Sequence, residues 1–311
     1  MAPFLLVGGL MLASFPVLLR RLGRRLRPGE WARLCLVALV GGAVLIELGA
    51  VLWAGPTLLR AAGVPALAMA CERLLGPLLP LGVTGGALGL AVAAAVPILA
   101  WRGGCRIRAQ MAALVIEPGV GCHQQRAGYD LVLLPARQPL AYSVGGPVPQ
   151  VVISEGLRDT LTDAQFEAVV AHEVAHLSHR HQRLLAWASV AADSLRWWPP
   201  SWRAHRVLRS AFERWADAEA TGGDHRRRIA LGEAIVATAM ADQPAPVASF
   251  SLGEATAERI EALQEPPHAP LAVQISLYVP GVVFAAVATV ATAVWMSDVH
   301  LVVAMAGRCT I

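Results

Sequence analysis

The chain has 311 residues, 56% of them hydrophobic and only 15% charged, with a net charge of +4 and a mean hydropathy of +0.53. Soluble domains run at roughly 45–50% apolar and about 25% charged residues, so this composition excludes an ordinary soluble globule and points to a membrane protein. All 26 basic residues are Arg and none is Lys, which in an Ala- and Gly-rich chain reads as genome composition, and no direct nucleic-acid partner is expected.

The apolar excess lies at the two ends, and four segments are long enough to cross a bilayer, which takes about 20 apolar residues. Ala2–Leu19 is uncharged and stops at Arg20-Arg21; Leu34–Leu59 is apolar apart from Glu47. Leu74–Trp101 and Leu271–Met296 are both uncharged. A cleaved signal peptide starts with basic residues, whereas here the first charges come after the apolar run, so the first segment reads as a permanent helix. Arginines concentrate in cytoplasmic loops. Arg20, Arg21, Arg24, Arg25, Arg27 and Arg33 crowd the first loop, and Arg102, Arg106 and Arg108 come after the third segment. This distribution places both termini outside, with residues 102–270 in the cytoplasm. The expected organisation is a three-helix membrane anchor over 1–101, a globular domain over 102–270, and a last membrane helix with a short outer tail over 271–311.

Within the globular part, Ala112–Ile116 and Asp130–Leu134 read as strands, and Pro139–Val144 with Gln150–Ser154 reads as a hairpin around Gly145-Gly146-Pro147. Thr162 with Gln165 three residues later is a capping box, opening a helix that runs to about Leu185. Another helix is expected from about Ala204 to Ala220, after the break at Pro199-Pro200. Five cysteines with no C-x-x-C argue against a disulfide framework.

The helix after Thr162 carries Ala171-His172-Glu173-Val174-Ala175-His176. Histidines at i and i+4 lie on one helical face and can grip one metal ion, with the glutamate between them placed as a base. Uncharged residues surround the motif, and charges on such an apolar helix are costly without a purpose. A catalytic Zn2+, one per chain, needs a third protein ligand. Gln182 occupies the position where a metzincin carries its third histidine, which excludes that class. Further on, Glu213 and Asp217 are spaced i, i+4 on the next helix. Glu213 completes a His-His-Glu set and Asp217 orients a ligand imidazole, with Glu219 the alternative ligand. His179 and His181, near the helix end, are expected to meet the helix dipole or solvent.

Residues Pro139 to Asp217 resemble the membrane metallopeptidases of the beta-lactam-sensor and methicillin-resistance-sensor family, and more distantly the HtpX-like and CaaX prenyl protease family, both gluzincins. The resemblance rests on Ala141–Gly145, Val151–Leu157, the H-E-x-x-H helix, Trp197-Trp198-Pro199-Pro200 and the E-x-x-x-D pair. It implies four transmembrane helices carrying an α+β gluzincin-like domain. It also implies a zinc endopeptidase with His172, His176 and Glu213 as ligands and Glu173 as base. An edge strand over Ala141, Tyr142, Ser143 and Val144 would pair with an extended protein substrate. Leu140 stands where relatives often carry Asn. The His-Pro that commonly precedes an arginine in HtpX-like proteins is missing near Arg259, although Glu258-Arg259-Ile260 is similar to the residues that come after that His-Pro. The sensor proteins' extracellular penicillin-binding domain has no counterpart here, so beta-lactam sensing by such a domain does not carry over. The expected role is regulated cleavage of a cytoplasmic protein, a transcriptional repressor in the resembled family, set against membrane-protein quality control and against a non-catalytic scaffold in the bilayer.

Tyr142 could touch substrate or fill the hairpin's buried face. Trp197, Trp198 and Trp202 suit either the bilayer interface or core packing. Glu47 is an ionisable group in an apolar helix, and so a functional candidate with a loop arginine or a wet cavity as rival partners. Arg226–Arg228 reads as a solvated face, and Cys122-His123 lacks the neighbours a second metal site needs.

Overall fold

The computed structural model describes residues 2–75, 82–117, 119–241 and 249–264. The expected fourth membrane helix, Leu271–Met296, and the C-terminal tail lie outside them. In chain order the helices begin with α1 (Ala2–Leu18), α2 (Arg20–Gly23), α3 (Pro28–Ala61), α4 (Pro65–Leu75) and α5 (Gly82–Ala112). Four strands come next: β1 (Cys122–Arg126), β2 (Tyr129–Leu134), β3 (Ala141–Val144) and β4 (Gln150–Ser154). The remaining helices are α6 (Glu155–Arg158), α7 (Asp163–Ser178), α8 (His181–Ser194), α9 (Pro199–Thr221), α10 (His225–Ala241) and α11 (Ser249–Gln264).

Among the described residues two helical stretches, Pro28–Ala61 and Thr84–Ala112, are long and apolar enough to cross a membrane; Phe4–Leu18 is apolar but shorter. At 1.5 Å per residue, the 17 residues of α1 reach about 26 Å, just under the roughly 30 Å hydrocarbon core. The chain divides into two compact units. Of the described residues, one comprises those within Met1–Met11 and Gly42–Pro97, the other those within Leu12–Gly41 and Ile98–His268. In the first, small residues bring helix backbones together, the usual packing device of apolar helices. A Cβ on Gly9 would meet the Gly42 carbonyl at 2.8 Å, and one on Gly89 would meet the Ala54 amide nitrogen at 3.0 Å. The Oε2 atom of Glu47 is buried without a hydrogen-bond partner among the described residues.

The second unit holds the sheet, in the order β1-β2-β4-β3. β1 and β2 run antiparallel, β2 and β4 parallel, and β3 and β4 antiparallel, with Tyr142 opposite Val152. The expected hairpin is therefore present, with β3 at the sheet's edge. β4 is buried along its whole length, and Leu131, Val151 and Ile153 pack against Phe166, Val169 and Val170 of α7. The capping box forms as expected, with Thr162 Oγ1 accepting from Gln165 N and the Gln165 side chain accepting from Thr162 N.

Three local expectations are corrected. Ala112–Ile116 is not a strand: α5 runs through Arg102, Arg106 and Arg108 to Ala112, and the connector's Ile116 backbone is bonded through both N and O by the Gln150 side chain, with no strand partner of its own. The remaining strand is β1, whose Cys-His-Gln-Gln-Arg sequence has no apolar alternation because it is an exposed edge. The helix expected to reach Leu185 breaks at His179–Arg180, where Arg180 adopts φ 53°. A left-handed residue ends a helix by turning the chain, and the turn here buries His181, Ala188 and Ala191, which offsets a conformational cost of roughly 1–2 kcal/mol. The helix expected from Ala204 starts earlier, at Pro199, because prolines fit the first helical turn.

Gly156 lies where α6 meets the 136–137 loop. Its amide donates to the Ala136 carbonyl at 3.0 Å, and a Cβ there would stand 2.0 Å from the Arg137 carbonyl oxygen. Backbone cannot yield as a side chain can, so Gly156→Ala should destabilise the second unit by about 1–3 kcal/mol, read as a lower melting temperature of the purified chain. An unchanged melting temperature would contradict this packing.

Candidate metal centre

The i, i+4 spacing on α7 places the His172 and His176 Nε2 atoms 3.1 Å apart. Glu213 on α9 brings Oε2 to 3.4 Å from His172 Nε2 and Oε1 to 3.8 Å from His176 Nε2. One donor atom from each of the three residues lies within 4.8 Å of the others, and no other such group of His, Cys, Asp or Glu occurs among the described residues. Glu219 is held elsewhere: its Oε1 accepts from Trp215 Nε1 at 3.2 Å and pairs with His179 Nε2 at 3.5 Å.

Behind the cluster, Asp217 Oδ1 is 2.9 Å from His172 Nδ1, an ion-pair distance without hydrogen-bond alignment. Arg259 of α11 grips Asp217 with two bonds, Nε to Oδ2 at 2.9 Å and an NH2 to Oδ1 at 2.6 Å. The same guanidinium stands 3.4 Å from Glu213 Oε2, so one cation tethers Asp217 and Glu213 alike. Burial lowers the His172 pKa, but Asp217 and Glu213 more than reverse this and bring it to about 9. Burial lowers His176 to about 4. Burial raises the carboxyl pKa of Glu213, yet His172 and Arg259 prevail and hold it well below the usual range. His172 must therefore release a proton to donate Nε2 to a metal.

Glu173 is buried beside the cluster at 9% exposure. Burial raises its pKa, opposed by the charge on His172 and by Ser143 of β3. That link ties the glutamate electrostatically to the strand expected to face substrate, against which α7 packs.

Two contributions went unread in the sequence. His181, expected at a solvated helix end, is fully buried with Nδ1 3.1 Å from His176 Nδ1, because the Arg180 turn folds it back between Phe212 and Trp215. Arg259 lies 42 residues from Asp217 with no periodicity linking them; the similarity of Glu258-Arg259-Ile260 to a family segment was the available signal. His123 bonds Asp130 at 2.6 Å, which accounts for that histidine without a second metal. Trp198 donates to Ser14 at 3.0 Å, while Trp197 and Trp202 are about half exposed.

Comparison with known proteins bears on the same residues. Residues 106–245 match the model of Peptidase family M48. The matched stretch contains the sheet, the two histidines, Glu173, Glu213 and Asp217. A protein described as a Protease HtpX homolog, from Sulfurovum sp. (strain NBC37-1), is 41% identical over 76 residues, which is 23% of this chain and 28% of that protein. The chain thus matches little more than a quarter of that relative's length. No solved structure matches. The two matches support the M48 metallopeptidase family, the HtpX-like side of the resemblance, and do not bear on its beta-lactam-sensor side.

The Arg259 clamp makes its own prediction. Arg259→Ala leaves Asp217 buried without its two guanidinium bonds, and should weaken metal binding by roughly 10–100-fold, as loss of groups that orient a ligand does; Arg259→Lys, which keeps the charge and loses the fork, should fall between. Competition against a zinc chelator measures this, and equal affinities in all three proteins would sink the assignment.

Proposed function

We propose that the chain is a membrane-associated zinc endopeptidase in which His172, His176 and Glu213 hold one Zn2+ and Glu173 is the general base. The observation that carries this is the convergence of the three donors beside a buried, unligated glutamate. The donor set fits the ion: in a tetrahedral site with bonds of about 2.0–2.1 Å, two imidazole nitrogens stand roughly 3.3 Å apart, against 3.1 Å for His172 and His176. A non-catalytic scaffold would have no use for a carboxylate buried at this point.

Zinc in such a site supplies Lewis acidity and acidifies a water molecule. The protein's own part is set by the geometry. Asp217, fixed by Arg259, holds the His172 ring so that Nε2 faces the other donors. Glu173 takes a proton from the attacking water and passes it to the leaving amine, and the burial that raises its pKa suits a group that must carry that proton. The open edge of β3, Ala141 to Val144, offers main-chain groups to an extended substrate segment, and the tie between Ser143 and Glu173 supports its placement next to the base.

The substrate is a cytoplasmic or membrane-proximal protein. Regulated cleavage of one regulator, such as a transcriptional repressor, rests on the sensor-like layout; membrane-protein quality control is supported as well by the match to the HtpX homolog. The arginine distribution supports a cytoplasmic catalytic domain with both termini outside. Thiol labelling of intact cells carrying a variant that keeps Cys122 as its single cysteine should then leave that thiol, exposed on the protein, unreactive toward an impermeant reagent until the membrane is opened; labelling before that would reverse the topology.

Glu173→Gln should retain about one zinc per chain and lose peptidase activity by at least 100-fold, whereas His172→Ala should lose the metal. Zinc loss in Glu173→Gln, or full activity without the carboxylate, would refute the roles given. Proteomics of cells carrying Glu173→Gln separates the two biological readings: one persisting regulator marks signalling, and accumulation of many unrelated membrane proteins marks quality control.

A further inference from the structure

A cavity of about 290 Å³ opens in the second unit, away from the metal cluster. Five arginines line it, Arg20, Arg24, Arg203, Arg206 and Arg214, around one carboxylate, Glu258. Glu258 is already engaged by Arg20 and, at 2.6 Å, by Arg24. Arg206 and Arg203 rest over the Trp202 ring, 4.5 and 5.4 Å from its centroid. Neither has a carboxylate partner among the described residues.

Arg214 is the decisive member. It is only 9% exposed, and its single side-chain hydrogen bond among the described residues goes to a neutral acceptor, the Arg24 carbonyl at 3.0 Å. Its Nε is buried without a partner. A buried guanidinium has five donors to satisfy, and leaving a buried charge without a counter-ion is strongly unfavourable. Glu258, Asp217 and Glu261 act on Arg214 only at a distance, without a hydrogen bond. Among the described residues the cavity therefore sets Arg24, Arg203, Arg206 and Arg214 around the single carboxylate of Glu258, with the buried Arg214 short of acceptors.

Guanidinium forks match the oxygens of carboxylates and phosphates; a phosphate brings more charged acceptors to a cavity whose cations are short of them, and the volume leaves room for its ester substituents. Val17, at the end of the apolar α1, and Trp31, at the start of the apolar α3, also line it. Arginines at such helix ends stand at headgroup depth when the helices enter a bilayer. We propose that this pocket binds a phosphate group, carried by an anionic phospholipid headgroup or by a soluble phosphate.

The test uses the full chain, in nanodiscs of phosphatidylcholine containing phosphatidylglycerol and, separately, in detergent with inorganic pyrophosphate. Phosphatidylglycerol should be retained over phosphatidylcholine, about one molecule per chain by native mass spectrometry, and about tenfold more weakly by Arg214→Gln and by Arg206→Gln. Arg206 is exposed, so its variant remains informative where Arg214→Gln fails to fold. Glu258→Gln should bind severalfold more tightly, because it releases Arg24 and removes a negative charge from the cavity, and loss of structure cannot mimic that gain. If pyrophosphate shows the same variant order while the two lipids are held equally, the pocket serves a soluble phosphate. The proposal is overturned if neither probe responds to these variants. It is equally overturned if Arg25→Gln and Arg27→Gln, exposed and outside the pocket, weaken binding as much as Arg206→Gln, which would reduce the effect to general surface charge.

Discussion

Asp217 is 3% exposed and charged, and such a group persists in a protein interior only when its oxygens are matched by cations. Arg259 supplies two bonds and His172 a close contact. Three helices are joined through this one carboxylate: α9 carries it, α7 presents the imidazole and α11 presents the guanidinium. The position of the His172 ring, its separation from His176, and the approach of Glu213 all depend on that junction, and Arg259 extends it to Glu213 as well. The candidate metal donors are thus organised by a charge network that reaches His172 through Asp217 and Glu213 through Arg259.

The network also explains the uneven legibility of the sequence. His172, Glu173 and His176 were readable because their relationship is local and helical geometry fixes it. Glu213 and Asp217 could be paired by the same i, i+4 rule once the next helix was found, and the structure brings both to the histidines while Glu219 turns to His179 and Trp215. The strands β3 and β4 were legible through their apolar runs and the intervening Gly-Gly-Pro. Arg259 was not assigned a role, because no local pattern reports a contact made across 42 positions. β1 was missed since an exposed edge strand has no need of alternating apolar residues. The break at Arg180 was invisible for a different reason: arginine carries no preference for the left-handed region, and only the tertiary burial of His181 requires it there.

The arginine-rich stretch between α1 and α3 shows the limit of reading charge along a line. In sequence it is a topology signal. In the structure it is also part of the second unit's packing: Trp31 lies against Gly23, Gly29 backs onto Trp215, and Arg33 stands 4.7 Å over the Trp215 ring. On α9 and α11 neighbouring residues serve different sites, Glu213 beside Arg214 and Glu258 beside Arg259, since adjacent positions on a helix point about 100° apart.

The four-residue length of β3 sets the strength of the grip that its edge can exert. On one side of so short a strand only alternate residues turn their amide and carbonyl outward, giving at most about four bonds at roughly 1 kcal/mol net each. That sum corresponds to a dissociation constant near the millimolar range. With ordinary association rates a segment so held leaves within about 0.1–10 ms. Main-chain pairing is also indifferent to side chains, so residence on the edge discriminates little between sequences. Effective concentration then becomes the deciding quantity: a segment tethered in the same bilayer reaches roughly millimolar levels at the edge, where a freely diffusing protein at cellular abundance leaves it vacant almost all of the time.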